Sequence, residues 1–216
     1  MKKKLLIFDL DGTLMYTVVD LNIATNYALE KYHYPLRSVE QTRKDIGNGI
    51  LKLIERSIPG GTNNKDYPFV LEEFKTYYKA HYFENSYPYP HIKETLIALK
   101  EKGYLLAVVS NKFNEGTNKM INHYLPNIFD RTQGSISELR YKPSSDLVNK
   151  VLSELSITPQ EALYIGDTEI DYQTAVNSSL DCVLVSYGYR TKEELLKQTK
   201  NSPIISDIDE LINLLD

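Results

Sequence analysis

The chain has 216 residues, 42% of them hydrophobic and 25% charged, with a net charge of −4. That length suits one large domain, or one domain carrying a smaller one, and the hydrophobic content argues against disorder. The acidic balance argues against a nucleic-acid binder, whose surface carries basic excess.

The first element is the short apolar run Leu5–Phe8, which reads as a strand buried on both faces. It follows Lys2-Lys3-Lys4, expected to solvate its start, and four apolar residues are too few for a signal-peptide core or a membrane span. Asp9 and Asp11 follow, then Gly12 and Thr13. Side chains two apart on an extended chain point to one side, so both acids face one small volume as the chain turns.

From Tyr16 to about Ser86 the pattern is helical, with tyrosines concentrated there. Val18, Leu21, Ile23, Ala24, Tyr27, Ala28 and Tyr32 form one stripe, with Asp20 as a cap or first-turn acid. Pro35 ends that helix. A second helical stretch, Ser38–Ser57, is interrupted at Gly47-Asn48-Gly49, beside Arg43 and Lys44. Residues 59–64 read as a loop. Phe69, Leu71, Phe74, Tyr77, Tyr78 and Tyr82 form a third stripe, closed by Pro88 and Pro90.

From His91 onward helices and apolar runs alternate. The strands are Leu105–Val109, ending in Ser110-Asn111-Lys112; a short piece over Phe129–Gly134; Ala162–Ile165, ending in Gly166-Asp167; Cys182–Val185; and Ile204-Ile205. Strands separated by helices predict right-handed crossovers and a parallel α/β sheet. The lone cysteine, Cys182, reads as a small core residue, which fits a reducing, cytoplasmic setting.

Three buried strands therefore end in polar groups on one edge of the sheet: Asp9 and Asp11; Ser110 and Asn111; Asp167 with Asp171. Lys142 lies on a connection between them. Singly, each piece has an ordinary reading: a turn or calcium-type loop for Asp-x-Asp-Gly, an N-cap for Ser110, a solvated lysine, a first-turn acid for Asp171. Together they suit phosphate chemistry. Oxygen ligands from Asp9 and Asp167 plus a backbone carbonyl suit Mg²⁺. A carboxylate in line with a phosphoryl group can attack it, with Lys142 and the metal neutralising the nonbridging oxygens. Ser110 and the N–H groups after Gly12 and Ser110 can hydrogen-bond the phosphoryl group. Asp11 can protonate the leaving oxygen and later take a proton from water.

In this order the pieces resemble the haloacid dehalogenase superfamily: Asp9-Leu10-Asp11-Gly12-Thr13 its first motif, Ser110-Asn111 its second, Lys142-Pro143 its third, Gly166-Asp167 with Asp171 its fourth. The resemblance implies a Rossmann-like core (residues 1–15 and 87–216) with an inserted all-helical cap (16–86). It implies Asp9 as nucleophile, Asp11 as general acid/base, and Mg²⁺ on Asp9, the Asp11 carbonyl and Asp167, with Asp171 behind these ligands or reaching the metal through water. Gly12, Thr13, Ser110, Asn111 and Lys142 are the expected substrate-binding residues. The name-giving dehalogenases lack the second acid, so Asp11 points to phosphoryl transfer.

Within the superfamily the chain is similar to phosphoglycolate phosphatases, through Ile46-Gly47-Asn48-Gly49-Ile50 and Tyr187-Gly188-Tyr189-Arg190. It departs from them at Tyr16-Thr17, where an Asp-Ser pair is common, and at Ser145, where a second proline is common. The expected activity is a Mg²⁺-dependent phosphatase acting on a small phosphorylated metabolite, with phosphoglycolate first. Pyrophosphate, nucleoside monophosphates and sugar phosphomutase chemistry are the alternatives. Arg43 in the cap is expected to reach the substrate's far end when the cap closes. Monomer and homodimer are both compatible with the sequence.

Overall fold

In the computed structural model the described residues are 3–200 and 202–215. In chain order the elements are β1 (Leu5–Phe8), β2 (Met15–Tyr16), α1 (Val18–Lys31), α2 (Val39–Asp45), α3 (Gly49–Ser57), α4 (Tyr67–His81), β3 (Tyr87–Pro88), α5 (Ile92–Glu101), β4 (Leu105–Phe113), α6 (Asn114–Tyr124), β5 (Arg131–Ser135), α7 (Asp146–Leu155), β6 (Ala162–Gly166), α8 (Glu169–Asn177), β7 (Asp181–Val185), α9 (Lys192–Gln198), β8 (Ile204–Ile205) and α10 (Glu210–Leu215). The chain divides into two compact units, Tyr16–Tyr87 and the rest.

In the larger unit six strands form one sheet in the order β5-β4-β1-β6-β7-β8, parallel at each pairing. β1 is central and Leu5, Leu6, Ile7 and Phe8 are fully buried, so the run is apolar without alternation, as a strand covered on both faces must be. Leu5 and Ile7 share one core cluster with Ala107, Val109, Tyr164 and the α7 residues Leu147, Val148 and Val151. Each such Leu, Ile or Val side chain contributes roughly 1.5–3 kcal/mol by leaving water. Phe8 pairs with Val108 on one side and Ile165 on the other. The residues that follow these three strands therefore leave the sheet at one edge.

The smaller unit is helical. Ala24, Ala28 and Leu29 of α1 and Val70, Leu71, Phe74 and Tyr78 of α4 are buried, and Tyr27 stacks on Tyr77 at 4.2 Å. Phe69 lies outside the buried stripe, 59% exposed. Asp20 is the acid in the first turn of α1 rather than its cap, and its carboxylate accepts bonds from the Asn85 N–H and side chain and from Ser86 Oγ, 65 and 66 residues away.

Several boundaries differ from the pattern in the sequence. β4 runs through Phe113 rather than ending at Val109. Pro88, read with Pro90 as a helix terminator, lies in β3, which pairs with β2 in a two-stranded ribbon. Lys3 is not a solvated residue: its Nζ donates to the carbonyls of Gln160 and Ala162 at 3.0 and 2.9 Å. Lys2 lies outside the described residues. The Cys182 thiol is buried. Among the described residues no helix is long and apolar enough to cross a membrane.

Candidate active site

The polar residues leaving β1, β4 and β6 meet at the sheet edge. Asp9 continues the ladder, its N–H donating to the Ile165 carbonyl at 2.9 Å. The chain then turns back: Gly12 N–H donates to Met15 O at 2.9 Å, and Leu14 and Met15 both bond Leu10 O. Gly12 has φ +91°, and a Cβ there would run into the Asp167 carboxylate and the Tyr189 ring. The tight approach to Asp167 is what requires glycine.

Lys142 is buried at the centre. Its Nζ lies 2.8 Å from Asp9 Oδ1 and 2.8 Å from Asp171 Oδ1, and donates to Tyr164 Oη at 3.2 Å. The lysine's backbone is held by Asn111, whose Oδ1 accepts from Lys142 N at 2.7 Å and whose Nδ2 donates to Lys142 O at 3.2 Å. Both oxygens of Asp171 are engaged, since Oδ2 accepts from the N–H groups of Asp167 and Thr168 and from Thr168 Oγ1. It closes a capping box at the start of α8 while holding Lys142. Asp167 accepts from Thr13 Oγ1 at 3.1 Å and from Tyr189 N–H at 2.7 Å.

Carboxylate oxygens of Asp9, Asp167 and Asp171 all lie within 4.8 Å of one another. Burial pushes the Asp9 carboxyl up to about 7, with Lys142 pulling it down and Asp171 and Asp11 pushing it up. Burial also raises Asp167 well above the carboxylate range, with Asp171 and Asp9 adding to it. Four carboxylates, Asp9, Asp11, Asp167 and Asp171, share this edge with two buried lysines, Lys142 and Lys112. With all four carboxylates ionised the edge would carry an excess of two negative charges, and that excess with the all-oxygen donor set fits a divalent hard cation such as Mg²⁺.

The expected residues take different places. Asp9, Asp11, Lys142, Asp167 and Asp171 come together. Ser110 is buried at the same edge, its Oγ accepting from Lys112 N–H at 3.1 Å. Thr13 and Asn111 use their side chains on Asp167 and on the Lys142 backbone. Arg43 lies on α2 in the helical unit, paired with Glu40 at 2.8 Å. The Gly47–Gly49 turn is held by Arg56, which donates to Asp45 O at 2.8 Å and Asn48 Oδ1 at 2.9 Å.

Lys112 and Tyr164 join the site without having been singled out in the sequence. Lys112 follows Ser110 by two, the spacing that puts side chains on one strand face. Tyr164 carries a hydroxyl into an otherwise apolar strand, where it must find a partner.

The chain matches the family model described as haloacid dehalogenase-like hydrolase over residues 6–185. It is 34% identical over 191 residues to a phosphoglycolate phosphatase of Aquifex aeolicus, covering 86% of each chain. To one from Haemophilus influenzae (strain 86-028NP) it is 30% identical over 222 residues, 98% of each. A crystal structure from Lactobacillus delbrueckii subsp. bulgaricus matches with a TM-score of 0.94 at 32% identity, covering 100% of this chain and 99% of that one. A predicted phosphoglycolate phosphatase from Haemophilus somnus matches at 0.89 and 27% identity, with 100% and 99% covered. The match spans every strand end that delivers a residue to the Asp9–Lys142 cluster, and on this ground the chain belongs to the haloacid dehalogenase-like hydrolase family.

Proposed function

We propose that the chain is a Mg²⁺-dependent phosphomonoesterase that passes through an aspartyl-phosphate on Asp9, with phosphoglycolate as its first candidate substrate. One observation carries the reading: buried Lys142 Nζ stands 2.8 Å from Asp9 Oδ1, at the edge where Asp11 and Asp167 also emerge. The names of the curated relatives support phosphoglycolate over the other small phosphates.

An Asp9 carboxylate oxygen attacks phosphorus while the bond from phosphorus to the leaving oxygen breaks. Asp11 gives its proton to that oxygen. Asp11 then takes a proton from water, whose oxygen attacks the aspartyl-phosphate, freeing inorganic phosphate and the Asp9 carboxylate. Lys142, Ser110 and the N–H groups after Gly12 and Ser110 hold the phosphoryl oxygens as charge redistributes. Asn111 and Thr13 contribute by fixing Lys142 and Asp167. A Mg²⁺ held by Asp9, the Asp11 carbonyl and Asp167 would neutralise phosphoryl charge, with Asp171 behind these ligands. Residues 1–15 and 87–216 act as the catalytic core. The helical segment 16–86 acts as a cap whose Arg43 meets the anionic far end of the substrate.

The test is a screen of phosphorylated metabolites with Mg²⁺, ranked by kcat/KM, on the wild type, Asp9→Asn and Arg43→Ala. Asp9→Asn should fold and release no phosphate above background; normal turnover would sink the mechanism. Arg43→Ala should raise KM for phosphoglycolate, and unchanged kinetics on every anionic substrate would remove Arg43 from the site.

A further inference from the structure

Lys112 is a buried cation that the phosphatase mechanism leaves without a task. It lies in the part of β4 that departs from its partner strand: Val109 pairs with Gln133 and Phe113 with Ser135, so four steps along β4 match two along β5. Such a bulge re-aims side chains at a sheet edge. The Lys112 backbone is held on both sides of its Cα. Its N–H donates to Ser110 Oγ at 3.1 Å and its carbonyl accepts from Thr117 Oγ1 at 3.3 Å. The side chain is 1% exposed and Nζ stands 3.6 Å from Asp11 Oδ1.

That distance is an ion pair rather than a hydrogen bond. Asp11 Oδ1 is itself buried and accepts no hydrogen bond among the described residues, so the contact that orients this oxygen is with Lys112. The Asp11 side chain as a whole keeps 18% of its exposure, and with Oδ1 buried the accessible oxygen is Oδ2. One oxygen is thus held by charge, and the other is left to carry a proton.

We infer that Lys112 is a positioning residue for Asp11: it pins Oδ1 so that Oδ2 delivers the proton to the leaving oxygen. This rests on the phosphatase reading above, in which Asp11 is the general acid. The consequence is chemical. A poor alkoxide leaving group needs that proton, whereas a nitrophenolate leaves without it. A residue that instead bound the phosphoryl oxygens would affect both substrates alike.

The experiment compares kcat/KM for p-nitrophenyl phosphate with kcat/KM for the alkyl phosphate that the wild type hydrolyses best. Both constants report steps up to phosphoryl transfer to Asp9. Lys112→Met keeps the length of the side chain and removes its charge. It should lose about tenfold or more on the alkyl substrate, a part of the ~10²–10⁴-fold typical of acid–base catalysis, and within about threefold on the aryl one. Lys112→Arg should recover much of the alkyl loss. Combined with Asp11→Asn, Lys112→Met should add nothing further, because it acts through the group already removed. If Lys112→Met melts out, Lys112→Gln is read in its place. Equal losses on the two substrates, no loss on either, or full additivity with Asp11→Asn would each overturn the assignment. Failure of the phosphatase reading shows separately, as an absence of Asp9-dependent phosphate release in the wild type.

Discussion

Lys142 loses water by burial, which acts to lower its pKa, yet the Asp171 and Asp9 carboxylates beside it outweigh that loss and raise it well above the ordinary lysine value. The charge is therefore held by its neighbours, and they in turn depend on it. Lys142→Met keeps a similar volume and leaves Asp9, Asp167 and Asp171 crowded with their shared cation gone. Removing one partner of a buried pair costs roughly 3–5 kcal/mol. The variant should melt lower in chelator, and added Mg²⁺ should recover more of its stability than it adds to the wild type. Its kcat should fall by at least ~10²-fold; wild-type turnover would exclude Lys142 from charge stabilisation. Asp9, Lys142, Asp167 and Asp171 are legible in the sequence because each sits at the end of an apolar run or on the connection between two. Lys112 and Tyr164 are less so. Their tasks depend on a bulge and on a cross-strand neighbour, neither of which leaves a local pattern.

The turn after β1 aims Asp9 and Asp11, and the irregular part of β4 carries Lys112 and the Asn111 that holds the Lys142 backbone. Gly12 tests the first of these. Its φ of +91° is matched by Gly103 at +88°, but a Cβ at Gly103 meets nothing within 4 Å, whereas one at Gly12 would strike Asp167 and Tyr189. Gly103→Ala therefore measures the backbone strain alone, about 1–3 kcal/mol. Gly12→Ala should cost more than that in thermal unfolding and should also lower kcat/KM, while Gly103→Ala leaves kcat/KM unchanged. Equal effects of the two would mean that the approach to Asp167 is not needed. Helices with a clear apolar stripe, such as α1 and α4, are readable from spacing. The two-residue strands β2 and β3 are not, since Pro88 reads locally as a terminator. Asp20 is legible as the first-turn acid of α1, but not as a long-range acceptor, because its partners Asn85 and Ser86 lie more than sixty residues on. Register and distant hydrogen bonds come from the assembled fold, not from the neighbouring sequence.

The parallel sheet is legible as a whole because buried strands and helices alternate from His91 to the C-terminal helix, and only right-handed crossovers satisfy that alternation. The site built on the sheet makes the stability of the entire molecule depend on pH. Unfolded, Asp9 titrates near its ordinary value of 3.8; folded, burial and its acidic neighbours raise it to about 7. The folded state then holds the proton more tightly. The stabilisation is complete below the unfolded value and is lost as pH rises from about 4 through about 7. Asp167, raised in the same direction, adds to the slope, as does His91, raised by its bond to Asp207. The chelated protein should accordingly show a falling Tm from pH 5 to pH 8, and Asp9→Asn, which has no proton to lose there, a shallower fall. A shift of that size is worth up to ~4 kcal/mol. On the proposed reading, Mg²⁺ would reverse the trend, because it would compete with those protons for the same oxygens and bind the folded state. Added Mg²⁺ should raise Tm more at pH 8 than at pH 5, and the gain should be smaller in Asp9→Asn. A Tm gain independent of pH, or equal in the variant, would place the cation away from Asp9.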